Sequence, residues 1–112
     1  MILESGLVDV PTPDLLSGGR LSNIPYYGTL TIQVQSDENS SANHADLNVQ
    51  LPNGDVPVDF QRIPGTEQGN QGVLDTEELL QMSFNATQGG HFTIGITPTG
   101  TAVVAWRVVL TP

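Results

Sequence analysis

The sequence predicts an all-β fold, namely a single antiparallel β-sandwich or partly open small barrel of about six strands with an extended N-terminal arm. Apolar and polar residues alternate along several short stretches, which is the pattern of strands that bury one face. Short breaks rich in Gly, Pro and Asn separate these stretches and suit tight turns between antiparallel strands. The chain has 112 residues with 12 Gly and 8 Pro, enough for one domain with one core.

The first predicted strand covers residues 28–35, where Leu30, Ile32 and Val34 alternate with Thr and Gln. Residues 36–44 are polar throughout, so we expect them to form an exposed and mobile loop. The strand therefore buries one face and then leads into a surface connection.

A hairpin is predicted over residues 45–60, where Asn53-Gly54 is the pair that a type I′ turn favours. Counting outward from this turn places apolar residues opposite each other on one face. The predicted cross-strand pairs are Leu51 with Val56, Val49 with Val58, and Leu47 with Phe60.

A second polar loop is predicted over residues 61–72. The following stretch, 74–81, allows two interpretations. Asp75 and Glu78 have the spacing of a helix capping box, which favours a short helical turn. Alternatively, the next strand extends back through Leu80.

The clearest alternation lies in residues 82–110. The breaks at 88–90 and 98–100 each end in Gly, the residue that the last position of a three-residue hairpin loop favours. We therefore predict a three-stranded antiparallel meander, in which Phe84 faces Ile94. The residues predicted to share one core are Trp106, Phe92, Ile94, Val104, Phe84, Ile32 and Val49.

The charge of the chain is strongly negative. Twelve acidic residues face only three basic ones, all Arg, which gives a net charge of -9. Such a surface repels nucleic acid and anionic membranes, so we expect neither as a partner. The chain has no Cys, which excludes disulfides and thiolate metal sites. Its first residues lack the basic and apolar regions of a signal peptide, which predicts a cytoplasmic origin unless a signal was removed.

The N-terminal part differs from the rest, so we divide the chain into an arm, 1–27, and a sandwich domain, 28–112. The arm contains Pro11, Pro13, Pro25 and several apolar residues that follow no sustained period. One interpretation is an irregular segment wrapped over its own sandwich. The other, which our functional hypothesis adopts without excluding the first, is an arm that docks outside its own sandwich, on a neighbouring subunit.

Few residues suggest chemistry. His44 lies near Asp37, Glu38 and Asp46, which raises the possibility of a metal cluster, but a solvated polar loop explains the pattern better. No sequence motif marks a nucleophilic Ser. We therefore predict a protein that is not an enzyme and has no catalytic, metal or cofactor site.

Surface binding is the remaining possibility. Trp106 could stack on a sugar, but its place in the inward-facing set favours the core. Arg107 points outward in mid-strand, which suits either a surface ion pair or a contact between subunits. The candidate interface residues are Leu7, Val8, Val10, Leu15, Leu16, Tyr26, Tyr27 and Arg107.

A small, acidic β-sandwich without Cys or Lys and with a Pro-rich apolar arm resembles the decoration (cement) proteins of tailed phages. The resemblance covers the layout of the whole chain. It implies a protein that assembles in the host cytoplasm, often as a trimer, and becomes part of the virion. It also implies that the partners are capsid subunits and further copies of the chain, which the protein bridges on the outer shell.

Two other classes stay open on the sequence. The first is a ligand-binding sandwich, for example a carbohydrate-binding module, for which Tyr26 and Tyr27 are the available exposed aromatic residues. The second is a subunit of a cell-surface assembly, which requires that a signal peptide was removed.

Overall fold

The fold is an antiparallel β-sandwich, as the sequence predicts, and not a closed barrel. A computed structural model describes residues 2–15, 28–51, 58–65, 79–85 and 92–111 of the chain. Every regular element in these ranges is a strand. The strands are β1 (Ile2–Val8), β2 (Thr29–Ser36), β3 (His44–Gln50), β4 (Val58–Arg62), β5 (Leu80–Asn85), β6 (Thr93–Thr99) and β7 (Val104–Thr111).

The strands form two sheets that pack face to face. The first sheet has the order β1-β7-β2-β5, and the second has the order β4-β3-β6. All their pairings are antiparallel. Six of these strands are the predicted ones, and β1 is an additional strand from the segment that was predicted to be an arm.

The predicted meander of the last third is wrong. Strand β5 pairs with β2, where Phe84 lies opposite Leu30, and β6 pairs with β3, where Ile94 lies opposite Val49. Strand β7 pairs with β1 and β2, so the chain changes sheets between β5 and β6 and again between β6 and β7. An apolar face can pack against a facing sheet as well as beside a neighbouring strand, so alternation does not identify the partner strand.

The predicted core residues pack together, although the strand pairing predicted for the last third of the chain is wrong. Trp106, Phe92, Ile94, Val104, Ile32 and Val49 are buried in one cluster, and Phe84 is half-buried against it. The rings of Phe84 and Phe92 approach across the two sheets, with centroids 6.3 Å apart and planes at 45°. The residues that we expected to be neighbours along one sheet therefore meet through the middle of the sandwich.

Strands β3 and β4 pair as predicted near the turn, with Val49 opposite Val58. The turn itself, at Asn53-Gly54, lies outside the described residues. Further along, the register shifts, and Gln61 instead of Phe60 lies opposite Leu47. A β-bulge of this kind inserts one extra residue and reverses the face of the residues beyond it.

The shifted register has two consequences for the core. Phe60 points to solvent and is 65% exposed, which corrects the prediction that it faces inward. Ile63, which we expected in a polar loop, is fully buried in its place. The stretch 74–81, for which a short helical turn is predicted, is described only from residue 79. Leu80 and Gln81 belong to β5 there, as the alternative of a strand that extends back through Leu80 predicts.

The prediction that the N-terminal arm docks outside its own sandwich is wrong for residues 2–15. Strand β1 pairs with β7, and Gly6 lies opposite Trp106. Beyond β1, the backbones of Thr12 and Ile96 exchange two hydrogen bonds of 2.9 Å, so the segment also reaches β6 of the second sheet. Residues 16–27 lie outside the described part of the chain.

The strand pairing of this segment explains why its sequence shows no regular alternation of apolar and polar residues. Its first part pairs with one sheet and its second part with the other, so no single alternation runs through it. Of the inward positions of β1, Val8 is apolar, but Glu4 and Gly6, which lie opposite Val108 and Trp106, are not. Alternation therefore fails as a signal although the segment is a true strand.

Candidate functional site

The most distinctive surface feature is an exposed apolar pair at the end of β1. Leu7 is 58% exposed and Val10 is 61% exposed. We call these two residues the apolar edge. Within the described residues, the other exposed large hydrophobic side chain is Phe60, which lies on β4 at the border of the second sheet.

The apolar edge follows from the local structure of β1. Side chains alternate along a strand, so Leu7 points outward because Gly6 and Val8 face Trp106 and Val104. Val10 follows after the strand has ended, at a bend next to Pro11. The apolar edge therefore lies on the outside of a segment whose inner face completes the core.

Strand β1 is also a border strand of the described sheet. It lies at the border of the first sheet, and among the described residues only β7 pairs with it. A border strand presents backbone N–H and C=O groups that another chain can pair with. Apolar side chains and backbone pairing groups thus occur together at this place.

The remaining candidate interface residues have different environments. Val8 is buried and Leu15 packs against the core, so both belong to the interior of their own domain and not to a free surface. The backbone N–H of Leu15 donates to the Ile94 carbonyl at 2.8 Å. Leu16, Tyr26 and Tyr27 lie outside the described residues.

Arg107 lies on the outer face of the first sheet and is held by neighbouring amides. Its Nε donates to Oε1 of Gln33 at 2.7 Å, and a terminal guanidinium nitrogen donates to the same oxygen. The Nε2 of Gln33 in turn donates to Oε1 of Gln81 at 2.7 Å. No ion pair of Arg107 occurs with the described residues. A role of Arg107 between subunits stays a prediction.

A polar cluster closes one end of the sandwich. Asp37 is only 6% exposed, and its Oδ1 accepts the backbone N–H of Val103 at 2.7 Å. The N–H of Asp37 donates back to the carbonyl of Val103 at 2.9 Å. The start of the loop 36–44 is therefore buried and bonded beside the start of β7, which corrects the prediction of exposure for Ser36 and Asp37, whereas residues 39–42 are exposed as predicted.

The same cluster includes the turn before β7. The Thr101 hydroxyl donates to Oε2 of Glu38 at 2.7 Å, and the Thr101 N–H donates to Oδ1 of Asn43 at 2.9 Å. Gly100 has a φ of 69°, the left-handed conformation expected of the last residue of this turn. These polar groups bind one another and the backbone, which gives the cluster a structural role.

His44 lies at the border of this cluster. Its Nδ1 is 3.0 Å from the Ser40 carbonyl, and its Nε2 is 3.9 Å from Oδ2 of Asp46. The Nε of Arg62 is 3.7 Å from the other oxygen of Asp46. In the described part of the chain, no group of three or more His, Cys, Asp or Glu side chains could hold a metal ion.

Trp106 is buried, with β1 lying over it. The prediction that it belongs to the core and not to an exposed sugar-binding surface is confirmed. The sequence contains one Trp, so the described surface offers no tryptophan platform for a sugar ring.

Comparisons with protein-family models, curated proteins and solved structures found no match for this chain. Among the described residues, no helix is long and apolar enough to cross a membrane. The surface of the sandwich and its charge are therefore the basis for a functional proposal.

Proposed function

We propose that this chain is a non-enzymatic structural protein that joins protein subunits, acting as a viral capsid decoration (cement) protein that bridges neighbouring subunits of the shell. The observation that carries the proposal is the apolar edge, where Leu7 on the border strand β1 and Val10 just beyond it are more than half exposed. Apolar side chains on and beside a strand at the border of its sheet suit a contact with another polypeptide.

The energy available at the apolar edge fits a weak contact that is repeated many times. Full burial of one Leu or Val side chain contributes about 1.5–3 kcal/mol. Two such residues do not hold a tight complex alone, because association costs roughly 4–15 kcal/mol of lost freedom. Backbone pairing along β1 and many copies on one shell add to the binding, as multivalent attachment does.

The charge supports the outer surface of a shell as the location. A net charge of -9 disfavours contact with packaged nucleic acid and keeps the free surface soluble. The proposed partners are therefore capsid subunits and further copies of the chain, and the proposed location is the virion after assembly in the host cytoplasm. The hydrogen-bonded cluster around Asp37 and Thr101 supports a rigid module, because its polar groups stabilise the loops.

The test is sedimentation of lysate from the cells in which the protein naturally occurs. A shell-bound protein co-sediments with large particles in a sucrose gradient, whereas a free chain of 112 residues stays near the top. The variant with Leu7→Asp and Val10→Asp should move to the top of the gradient, because two charges replace the apolar edge. Phe60→Asp is the matched control, since Phe60 is equally exposed but lies on the border strand of the other sheet.

Two results would contradict the proposal. Wild-type protein that stays at the top of the gradient excludes attachment to a particle. Co-sedimentation of the Leu7 and Val10 double variant at the wild-type level excludes the apolar edge as the joining surface. Attachment should also survive molar salt, because apolar contacts are not screened as charge pairs are.

A further inference from the structure

We infer that the outer face of the first sheet binds a carboxylate of a partner protein through Arg107, and that this carboxylate belongs to an Asp or Glu side chain framed by apolar residues. The inference rests on the proposed function and deepens it, because it names the chemistry of the partner surface that the protein joins. The observation that carries it is a guanidinium held in place on a sheet face without acidic residues.

The outer face of the first sheet differs in charge from the rest of the chain. The outward positions of β2 and β5 hold Thr, Gln, Ser and Asn, and those of β7 hold Arg107 among Ala, Val and Thr. On β1 the described outward side chains are Ser5 and Leu7. None of the twelve acidic residues occupies these positions. Such a face attracts an anionic group that the rest of the molecule repels.

Two glutamines hold Arg107 in a fixed orientation. The Nε of Arg107 and one of its terminal nitrogens donate to Oε1 of Gln33, and Gln33 in turn donates to Gln81. These three residues lie in one row across neighbouring strands, β7, β2 and β5. Because the guanidinium is oriented before a partner arrives, less conformational freedom is lost on binding.

The guanidinium keeps donors for a ligand. Its other terminal nitrogen has no partner among the described residues. The ion pairs in this part of the chain involve His44, Arg62 and Asp46, which lie in the second sheet. A guanidinium presents its N–H groups in a planar fork that matches the two oxygens of a carboxylate. A carboxylate from outside the chain therefore completes the hydrogen bonding of Arg107.

Apolar residues near Arg107 favour a protein as the partner. Val109, two positions further along β7, is half-buried on the same face, and Leu7 of the apolar edge is exposed on β1. An Arg among contacts that exclude water is typical of the residues that dominate binding in protein interfaces. Exclusion of water also strengthens the charge pair and protects it from salt. One partner surface can thus contact both Arg107 and the apolar edge.

Other anionic partners suit this face less well. Nucleic acids and acidic polysaccharides repeat their charges along the chain, and a net charge of -9 repels them. The described outward positions of the first sheet hold no aromatic residue on which a base or a sugar ring could stack. A single carboxylate on a neutral or apolar protein surface matches the single guanidinium.

Titration with short peptides, followed by NMR of the Arg side chains, tests the inference. The probe is a pentapeptide, blocked at both ends, with one Glu between two Val residues. The control peptide has Gln in place of Glu. The chain has only three Arg, so substitution of each assigns the Nε signals. We expect the Glu peptide to shift the Arg107 signal and to bind at least about tenfold more tightly than the Gln peptide.

Arg62 is the matched control, because it lies on β4 of the other sheet, with its Nε 3.7 Å from Asp46. Arg107→Gln should weaken binding of the Glu peptide at least about tenfold, whereas Arg62→Gln makes the same change of charge and should leave binding unchanged. Arg107→Lys keeps the charge but loses the planar fork, so its binding should be intermediate. Melting temperatures show whether the variants are folded, and the comparison of the two peptides on the wild-type protein needs no variant.

Several results overturn the inference. Equal binding of the Glu and Gln peptides excludes recognition of the carboxylate, and an equal shift of the Arg62 signal places the binding elsewhere. Tighter binding of an oligogalacturonate than of the Glu peptide replaces the protein partner with an acidic glycan. The outcome for the proposed function is separate. Wild-type protein that does not sediment with particles rejects the function, whereas the peptide titration decides the inference in either case.

Discussion

Gly6 lies directly against the indole of Trp106. A Cβ at Gly6 would be 3.2 Å from both Cζ2 and Nε1 of the Trp106 side chain. Since Gly6 belongs to β1 and Trp106 to β7, this contact joins the first strand of the chain to its last. The N-terminal segment thus covers Trp106, the largest side chain in the core. Its outer face is exposed because its inner face packs on this residue.

The close approach predicts that Gly6→Val destabilises the protein. The added side chain must displace the Trp106 ring, and overpacking of this kind costs about 1–3 kcal/mol. Urea denaturation measures the loss, and the emission of the single Trp should shift in the native state. Ser5→Val is the control, because Ser5 is exposed on the same strand, and its effect should stay within about 0.5 kcal/mol. Equal effects of the two changes would refute the contact.

Two Phe residues in different environments test the assignment of faces. Phe92 is 1% exposed in the core, so Phe92→Ala should cost about 3–5 kcal/mol, enough to unfold a marginal domain. Phe60→Ala removes the same atoms from an exposed position and should cost less than about 1 kcal/mol. Thermal unfolding of both variants measures the difference. Similar melting temperatures would show that the bulge in β4 does not turn Phe60 outward.

Gly100 has a φ of 69°, a conformation in which β-branched side chains are strained. A Cβ there would also collide with the amide oxygen of Asn43 and the carbonyl of Ala42. We expect Gly100→Val to cost about 1–3 kcal/mol or more. Thr99→Val, at an exposed neighbouring position, should have little effect. Equal stability of the two variants in chemical denaturation would contradict the left-handed turn.

The loop at the polar end depends on one buried carboxylate. Asp37→Ala removes the acceptor of the Val103 N–H and should cost about 1–3 kcal/mol, because that donor loses its partner near the core. Asp59→Ala, at an exposed position on β4, should change stability by less than about 0.5 kcal/mol. Hydrogen exchange adds a local measurement. Unchanged protection of the Val103 amide in the Asp37 variant would refute the role of this bond.

The candidate site was only partly accessible from the sequence. Leu7 and Val10 belong to the predicted set of interface residues, but so do Val8, which is buried in the core, and Leu15, which is partly buried against it. The segment mixes apolar residues with Glu4, Ser5, Asp9 and Asp14, and its sequence carries no period that separates the covered apolar residues from the exposed ones. The segment pairs with two different sheets, and this pairing decides which of its apolar side chains are exposed.

The polar end shows a similar limit. Residues 36–44 contain no apolar anchor, so composition predicts an exposed loop. The loop is fixed by hydrogen bonds between Asp37 and Val103 and between Asn43 and Thr101, which are distant in sequence. No local pattern indicates such partners, because a carboxylate or amide can accept a hydrogen bond from any backbone that tertiary structure brings near.

The sequence by itself determined that the protein is an all-β sandwich or small barrel and which residues of β2, β3, β6 and β7 face the core. Side chains alternate with a period of two along any strand. The order of apolar and polar residues in a strand therefore shows which of its side chains face inward. Only the tertiary structure decided that β5, β6 and β7 alternate between sheets and that β1 belongs to the sandwich. The physical reason is that an apolar face is buried equally well beside a neighbouring strand or beneath an opposing sheet, and backbone pairing is the same for every sequence.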